Sequence, residues 1–280
     1  MRCLSNRTGP TKRVSKMSQP NRLPHFDKFD KAKPLNFIFN GRHLQGYQGD
    51  TLASALIANG IKLIGRSFKY HRPRGVMGSG SEETNALVQL EPQTPRTLAN
   101  IQATKVELYE GLKAKSVNCW PNPEWDILSI LSIFHRILPA GFYYKTFMWP
   151  QKAWRFYEYF IRKAAGLGQS PSTPDPDYYD KINISCDVLV IGGGPSGLSA
   201  ALASSNAGAK TILVDEQPYL GGQLLNESQD QSDGVTLEWL NKTKLEIAKI
   251  SSLKILKRTT AFGSYDQNFV SLFRNPKTRP

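Results

Sequence analysis

Gly192, Gly194, Gly197 and Asp215 stand at the spacing that holds a dinucleotide. The glycines fall in GGGPSG at 192–197, a GxGxxG pattern that follows directly on an apolar run at 187–191. In such a turn Gly192 permits the tight bend, Gly194 lets backbone amides approach a pyrophosphate, and Gly197 lets the next helix lie close to the strand. An Ala- and Ser-rich helix over 198–207, stopping near Gly208, aims its N-terminal amides and dipole at the phosphates. A second strand at 211–214 then delivers Asp215, about twenty residues past the glycines, where a carboxylate accepts hydrogen bonds from the ribose hydroxyls. Glu216 beside it adds charge that repels a 2′-phosphate, so NAD or FAD is favoured over NADP.

Other chemistry is sparse. No catalytic acid, base or nucleophile stands out. His25, His43, His71 and His135 are scattered and read as structural or exposed. Cys3, Cys119 and Cys186 are isolated, without CxxC or metal-ligand spacing, which fits a reducing compartment and neither a disulfide framework nor a metal site.

The elements that carry the dinucleotide unit begin after a linker. SPSTPDP at 170–176 punctuates the chain, and a domain boundary is expected within 170–183. Downstream, the pattern predicts a helix over 235–250 and strands at 253–256, 259–262 and 269–273. Upstream, 35–39 alternates as a strand, Asn40-Gly41 makes a hairpin turn, and 42–47 returns. Helix 52–59 follows, closed by Gly60, then strands at 86–90 and 102–108. Aromatic residues crowd 120–167, including Phe142, Tyr143, Tyr144 and Phe147, and 154–165 has helical spacing. Such density suits packing or a subunit contact.

Two strands, a helix and a long glycine-containing loop open a β-grasp ferredoxin. Where cluster-bearing ferredoxins place the cysteines of CGxGxCxxC, alignment through Gly78 and Gly80 puts Met77, Glu82 and Asn85, and none supplies a thiolate. A scaffold without its iron–sulfur cluster is expected. In the same loop Arg66, Lys69, His71, Arg72 and Arg74 have two uses open to them: facing an anionic group such as a flavin phosphate, or forming a basic surface. The fold class is therefore α+β followed by α/β. Residues 1–33 form a basic flexible lead, 34–118 a ferredoxin-like domain, 119–183 an aromatic connecting region, and 184–280 an incomplete Rossmann-type domain of the two-dinucleotide kind.

The net charge of +13 invites a nucleic-acid reading, but nine basic and two acidic residues lie before residue 36, and a basic tail is ordinarily solvated. No nucleic-acid partner is expected. Nor is a membrane span, because the richest apolar stretch, 127–149, is broken by His135, Arg136 and Lys145. Met17 is expected to be the true start, with a mitochondrial transit peptide as the alternative reading of the acid-free, Arg- and Ser-containing first residues. The stop at Pro280 is read as an N-terminal portion of a longer protein or a gene broken there.

The motifs GRSFKYHRPRG (65–75), EETNALVQLE (82–91), AGFYYKTFMWP (140–150), IRKAAGLG (161–168), VDEQ (214–217) and RTTAFGSYD (258–266) together resemble the alpha subunits of heterotetrameric sarcosine oxidases. The likeness runs over about 22–274. It implies a cytoplasmic oxidoreductase that demethylates sarcosine to glycine, forms hydrogen peroxide and passes a one-carbon unit to tetrahydrofolate, working with beta, gamma and delta subunits. It also implies NAD in this chain, FMN at the interface with the beta subunit and FAD within the beta subunit. The NAD contacts it implies are Ser196, Asp215, Glu216, Gln217, Gln223 and Ala261, the last through its backbone to the adenine edge. The folate domain of that family is absent from this sequence. A related opine or proline dehydrogenase subunit, with FAD in place of NAD, and a non-catalytic assembly module are the competing readings.

Overall fold

The computed structural model describes residues 19–23, 30–92, 94–133, 135, 149–166, 168–226 and 235–274. Phe142, Tyr143, Tyr144 and Phe147, Met17 and most of the basic lead lie outside them. The chain divides into two compact units between Pro176 and Asp177.

In the first unit, β1 (Asp30–Phe39) and β2 (Arg42–Gln48) form an antiparallel hairpin. Its turn is Asn40-Gly41, both at positive φ, which matches the right-handed twist of the strands. Helix α1 (Leu52–Ala58) starts with a capping box in which Thr51 Oγ1 accepts from the Ser54 amide and Ser54 Oγ from the Thr51 amide. It ends at Asn59, and Gly60 follows at φ +81°. Short strands β3 (Gly65–Arg66) and β4 (Pro73–Arg74) pair with each other. Strands β5 (Leu87–Leu90), β6 (Leu98–Gln102) and β7 (Lys113–Ser116) complete a five-stranded sheet ordered β2-β1-β7-β5-β6, with β7 parallel to β1. Phe37, Phe39, Leu52, Leu56, Ile64, Val88 and Leu112 make its core.

The strand expected at 102–108 is not there. Only 98–102 pairs as strand, because 103–108 spends its carbonyls on the start of α1: Ala103 O accepts from Ala53 N and Val106 O from Leu52 N. Those amides lack partners within the helix, so the segment satisfies them. β7, KAKS, was not expected as a strand. Its lysines are exposed while Ala114 and Ser116 are buried, an alternation that only its neighbours β1 and β5 reveal.

Residues 19–23, expected within the flexible lead, are tied to the sheet. The Arg22 guanidinium donates to both oxygens of buried Asp50, at 2.7 and 3.2 Å, and Gln19 donates to Gln45 O. The far side of the connecting region is tied as well. After α2 (Trp154–Ala165), Gly166 O accepts from Asn118 N and Gln169 exchanges bonds with the Gln89 side chain.

In the second unit, β8 (Val188–Ile191), α3 (Pro195–Asn206) and β9 (Thr211–Val214) make a βαβ unit. Helix α4 (Val235–Ile247), shorter than the 235–250 expected, leads to β10 (Leu253–Leu256). The three parallel strands are ordered β10-β9-β8, and every residue of β9, the middle strand, is buried. An antiparallel hairpin of β11 (Thr259–Tyr265) and β12 (Phe269–Arg274) follows.

Candidate functional site

The turn between β8 and α3 lies at the carboxyl end of the parallel strands, where open α/β sheets bind their ligands. Gly192 bends at φ +104°, a conformation strained for any side chain, and its amide bonds to Val214 O. A Cβ on Gly197 would lie 1.8 Å from Gly192 O, so helix and turn touch through bare backbone. A Cβ on Gly194 would meet nothing within 4 Å. That open face leaves room for an anion such as a pyrophosphate to approach the backbone. The helix begins at Pro195, three residues before the expected start, with Gly194 as N-cap and no side chain capping it. Pro195 has no amide to leave unpaired, and the first-turn amides that follow point out of the helix end as donors for an anion. Ser196 stands exposed in that first turn.

Asp215 follows β9 and is 8% exposed. One carboxylate oxygen accepts from Gly193 N at 2.5 Å and the other from Gln217 N at 2.6 Å. Burial pushes its carboxyl above the usual range, against the pull of those two amides. The acid therefore holds the shape of the glycine turn. Each oxygen still has acceptor capacity for a hydroxyl. Glu216 next to it is half-exposed.

The second glycine pair closes the site. Gly221 N donates to Gly193 O at 2.8 Å, and a Cβ on Gly222 would lie 3.0 Å from Gly194 Cα. Gln223 follows, exposed, in a short 3-10 turn. Backbone bonds from Thr259 N to Asp215 O and from Arg258 N to Gln217 O bring the strand of Ala261 alongside. The structure thus links Gly192, Gly194, Gly197, Asp215, Gln217 and the Ala261 strand in one framework. Sequence reasoning missed Gly193, whose Cβ would strike Leu220 at 2.5 Å and Asp215 at 2.8 Å. The run of three consecutive glycines was the available signal.

Comparison with known proteins bears on both units. Residues 32–119 match the family described as 2Fe-2S iron-sulfur cluster binding domain, and 187–269 match FAD dependent oxidoreductase. Over 88% of its length the chain is 49% identical to sarcosine oxidase subunit alpha of Rhizobium meliloti (strain 1021), of which it covers 25%. The corresponding figures for the protein of the same name from Corynebacterium sp. (strain U-96) are 91%, 32% and 22%. This chain is a homologue of the sarcosine oxidase alpha subunits. It spans about a quarter of their length. A solved L-proline dehydrogenase from P. horikoshii has a TM-score of 0.48 at 18% identity, covering 88% of this chain and 38% of that one.

The iron–sulfur cluster implied by the first match does not fit this alpha-subunit homologue. Met77 is 80% exposed, Glu82 is exposed, and the Asn85 side chain accepts from Arg74. Among the described residues no group of His, Cys, Asp or Glu is placed to hold a metal ion. Burial first, and then the charge of Asp126, push the Cys119 thiol up to about 11.

The basic motif GRSFKYHRPRG divides between two tasks. His71, buried at positive φ, sets Nδ1 2.6 Å from the buried Asp126 carboxylate, and Arg66 lies 3.7 Å from the same oxygen. Asp126 also accepts from Trp120 N. Lys69 and Arg72 instead stack on the Tyr70 ring, and Arg74 holds Asn85. Arg66 and His71 are thus matched by a carboxylate of the first unit itself.

Proposed function

We propose that this chain is the dinucleotide-binding, N-terminal part of the alpha-type subunit of a sarcosine oxidase complex. The observation that carries the reading is the 49% identity maintained over 88% of the chain. In it Gly192 and Gly197 shape the turn, Gly194 lets the backbone approach the pyrophosphate, Ser196 and the first-turn amides of α3 donate to it, and Asp215, Glu216 and Gln217 address the ribose. Gln223 and the Ala261 backbone complete the contact. NAD is the nucleotide we assign, since two adjacent carboxylates favour an unphosphorylated ribose. FAD is the second reading, because the family matched by 187–269 is described by that cofactor.

The bound nucleotide supplies hydride-transfer capacity, but among the described residues no side chain at this site is arranged to exchange a proton with a substrate amine. The chemistry is therefore assigned elsewhere: oxidative demethylation of sarcosine, with peroxide formation and one-carbon transfer to tetrahydrofolate, belongs to the assembled complex with beta, gamma and delta subunits. FMN at the interface with the beta subunit and FAD within it complete the assignment. The cytoplasm is the compartment proposed; no described helix is long and apolar enough to cross a membrane.

Co-expression with a beta-type subunit tests this. Sarcosine-dependent peroxide formation and release of NAD on denaturation, identified by mass, are the expected results. Release of FAD alone would overturn the NAD assignment, and oxidation of a different secondary amine in place of sarcosine would overturn the substrate.

A further inference from the structure

The loop that would carry a cluster in a ferredoxin is not slack here. Its two limbs, 77–78 and 85–86, close on one side chain. Glu83 is fully buried, and its Oε2 accepts from Met77 N at 2.6 Å and Gly78 N at 2.8 Å. Its Oε1 accepts from Asn85 N at 2.5 Å and Ala86 N at 3.0 Å. One carboxylate thus takes four backbone amides, two from each limb. The turn itself is pinned from outside: Gln102 Nε2 donates to Ser81 O and Glu83 O, and Thr104 Oγ1 donates to Gly80 O.

We propose that Glu83 is a built-in anion that occupies the amide-lined position a cluster's sulfurs would hold, making this domain's loop metal-independent. The chemistry is the same on both sides of the exchange. A cluster is a buried anion whose sulfurs accept hydrogen bonds, and successive backbone amides in a turn form an anion-binding concavity. Without an acceptor those amides, part-buried at 77, 78 and 85 and buried at 86, would be left unpaired, which native structures avoid. A carboxylate supplied from inside the loop satisfies them without iron. Four amide donors outweigh the effect of burial and hold the Glu83 carboxyl below the usual range, in keeping with an anion at neutral pH.

The test uses the full chain and its variants Glu83→Gln and Glu83→Ala. Amide hydrogen exchange, read by mass spectrometry in peptides spanning 76–87, is expected to rise at least tenfold in Glu83→Gln, whose amide group turns donors toward donors. Peptides from 188–214 should not change. In Glu83→Ala, formate should fill the vacated position and slow exchange in 76–87 at least threefold, whereas chloride at equal concentration should not. Anaerobic incubation of the unaltered chain with ferrous iron and sulfide should yield no cluster absorbance. Unchanged exchange in Glu83→Gln, equal effects of formate and chloride, or a cluster formed in the unaltered chain would each overturn the proposal. Should Glu83→Ala not fold, the exchange of Glu83→Gln and the iron incubation decide it.

Discussion

Gly194 and Gly197 stand in the same turn, yet a methyl group would meet different surroundings at each. At Gly197 it would lie 1.8 Å from Gly192 O, so helix and strand must separate to admit it. Overpacking of that kind costs about 1–3 kcal/mol or more. At Gly194 the methyl meets nothing within 4 Å, and the backbone there has an ordinary negative φ. Gly197→Ala should therefore lower the melting temperature and abolish nucleotide retention. Gly194→Ala should fold with stability within about 0.5 kcal/mol of the parent. It should still lose at least tenfold in nucleotide affinity, because its methyl stands where the pyrophosphate approaches. Thermal unfolding and titration with NAD separate the two effects. An alanine at 194 that binds NAD normally would show that this face does not meet the phosphates.

Elements in the first unit are joined by buried charge. Asp126 brings Trp120 N, His71 and Arg66 to one carboxylate, fastening the start of the connecting region to the loop that precedes β4. Removing one partner of a buried cluster strands the others, at a cost of roughly 3–5 kcal/mol. Asp126→Ala should lower the urea midpoint of unfolding accordingly. Glu158→Ala, which breaks the exposed pair with Arg162 on α2, should change stability by no more than about 0.5 kcal/mol. If both variants behave alike, the Asp126 cluster does not hold these elements together. Nothing in the sequence announces this cluster, since Asp126 lies 55 residues from His71. The hairpin at Asn40-Gly41, Gly60 at the end of α1 and the βαβ glycines were legible because each encodes a local backbone requirement. β7 and the 103–108 segment were not, because their hydrogen bonds go to partners remote in sequence. The same division runs through the proposed dinucleotide site. Its glycines and acid are readable from spacing, whereas the bond from Gly193 to Asp215 that shapes the turn appears only in three dimensions.

At the scale of the whole chain, the residues assigned to the nucleotide, from Gly192 to Ala261, all fall in the second unit, and those that would have held a cluster fall in the first. The stretch between them is open to attack. Ser170 to Pro176 is exposed throughout, and Tyr178 is 102% exposed, while Tyr179 packs against Phe273 with ring centroids 5.7 Å apart. An exposed segment rich in proline and small polar residues is where proteolytic nicking concentrates. Brief chymotrypsin treatment should therefore cut after Tyr178 before it cuts at the sheltered Tyr109 or at the aromatics of either core. The position of the cut also tests where the nucleotide is held. If the second unit alone supplies the contacts, the fragment beginning at Tyr179 should carry bound NAD through gel filtration after the first fragment is removed. Loss of NAD on cleavage, with the fragment still folded by circular dichroism, would mean that the first unit or the connecting region contributes to the site. It would then bring the aromatic residues of 120–167 back into the search for cofactor contacts.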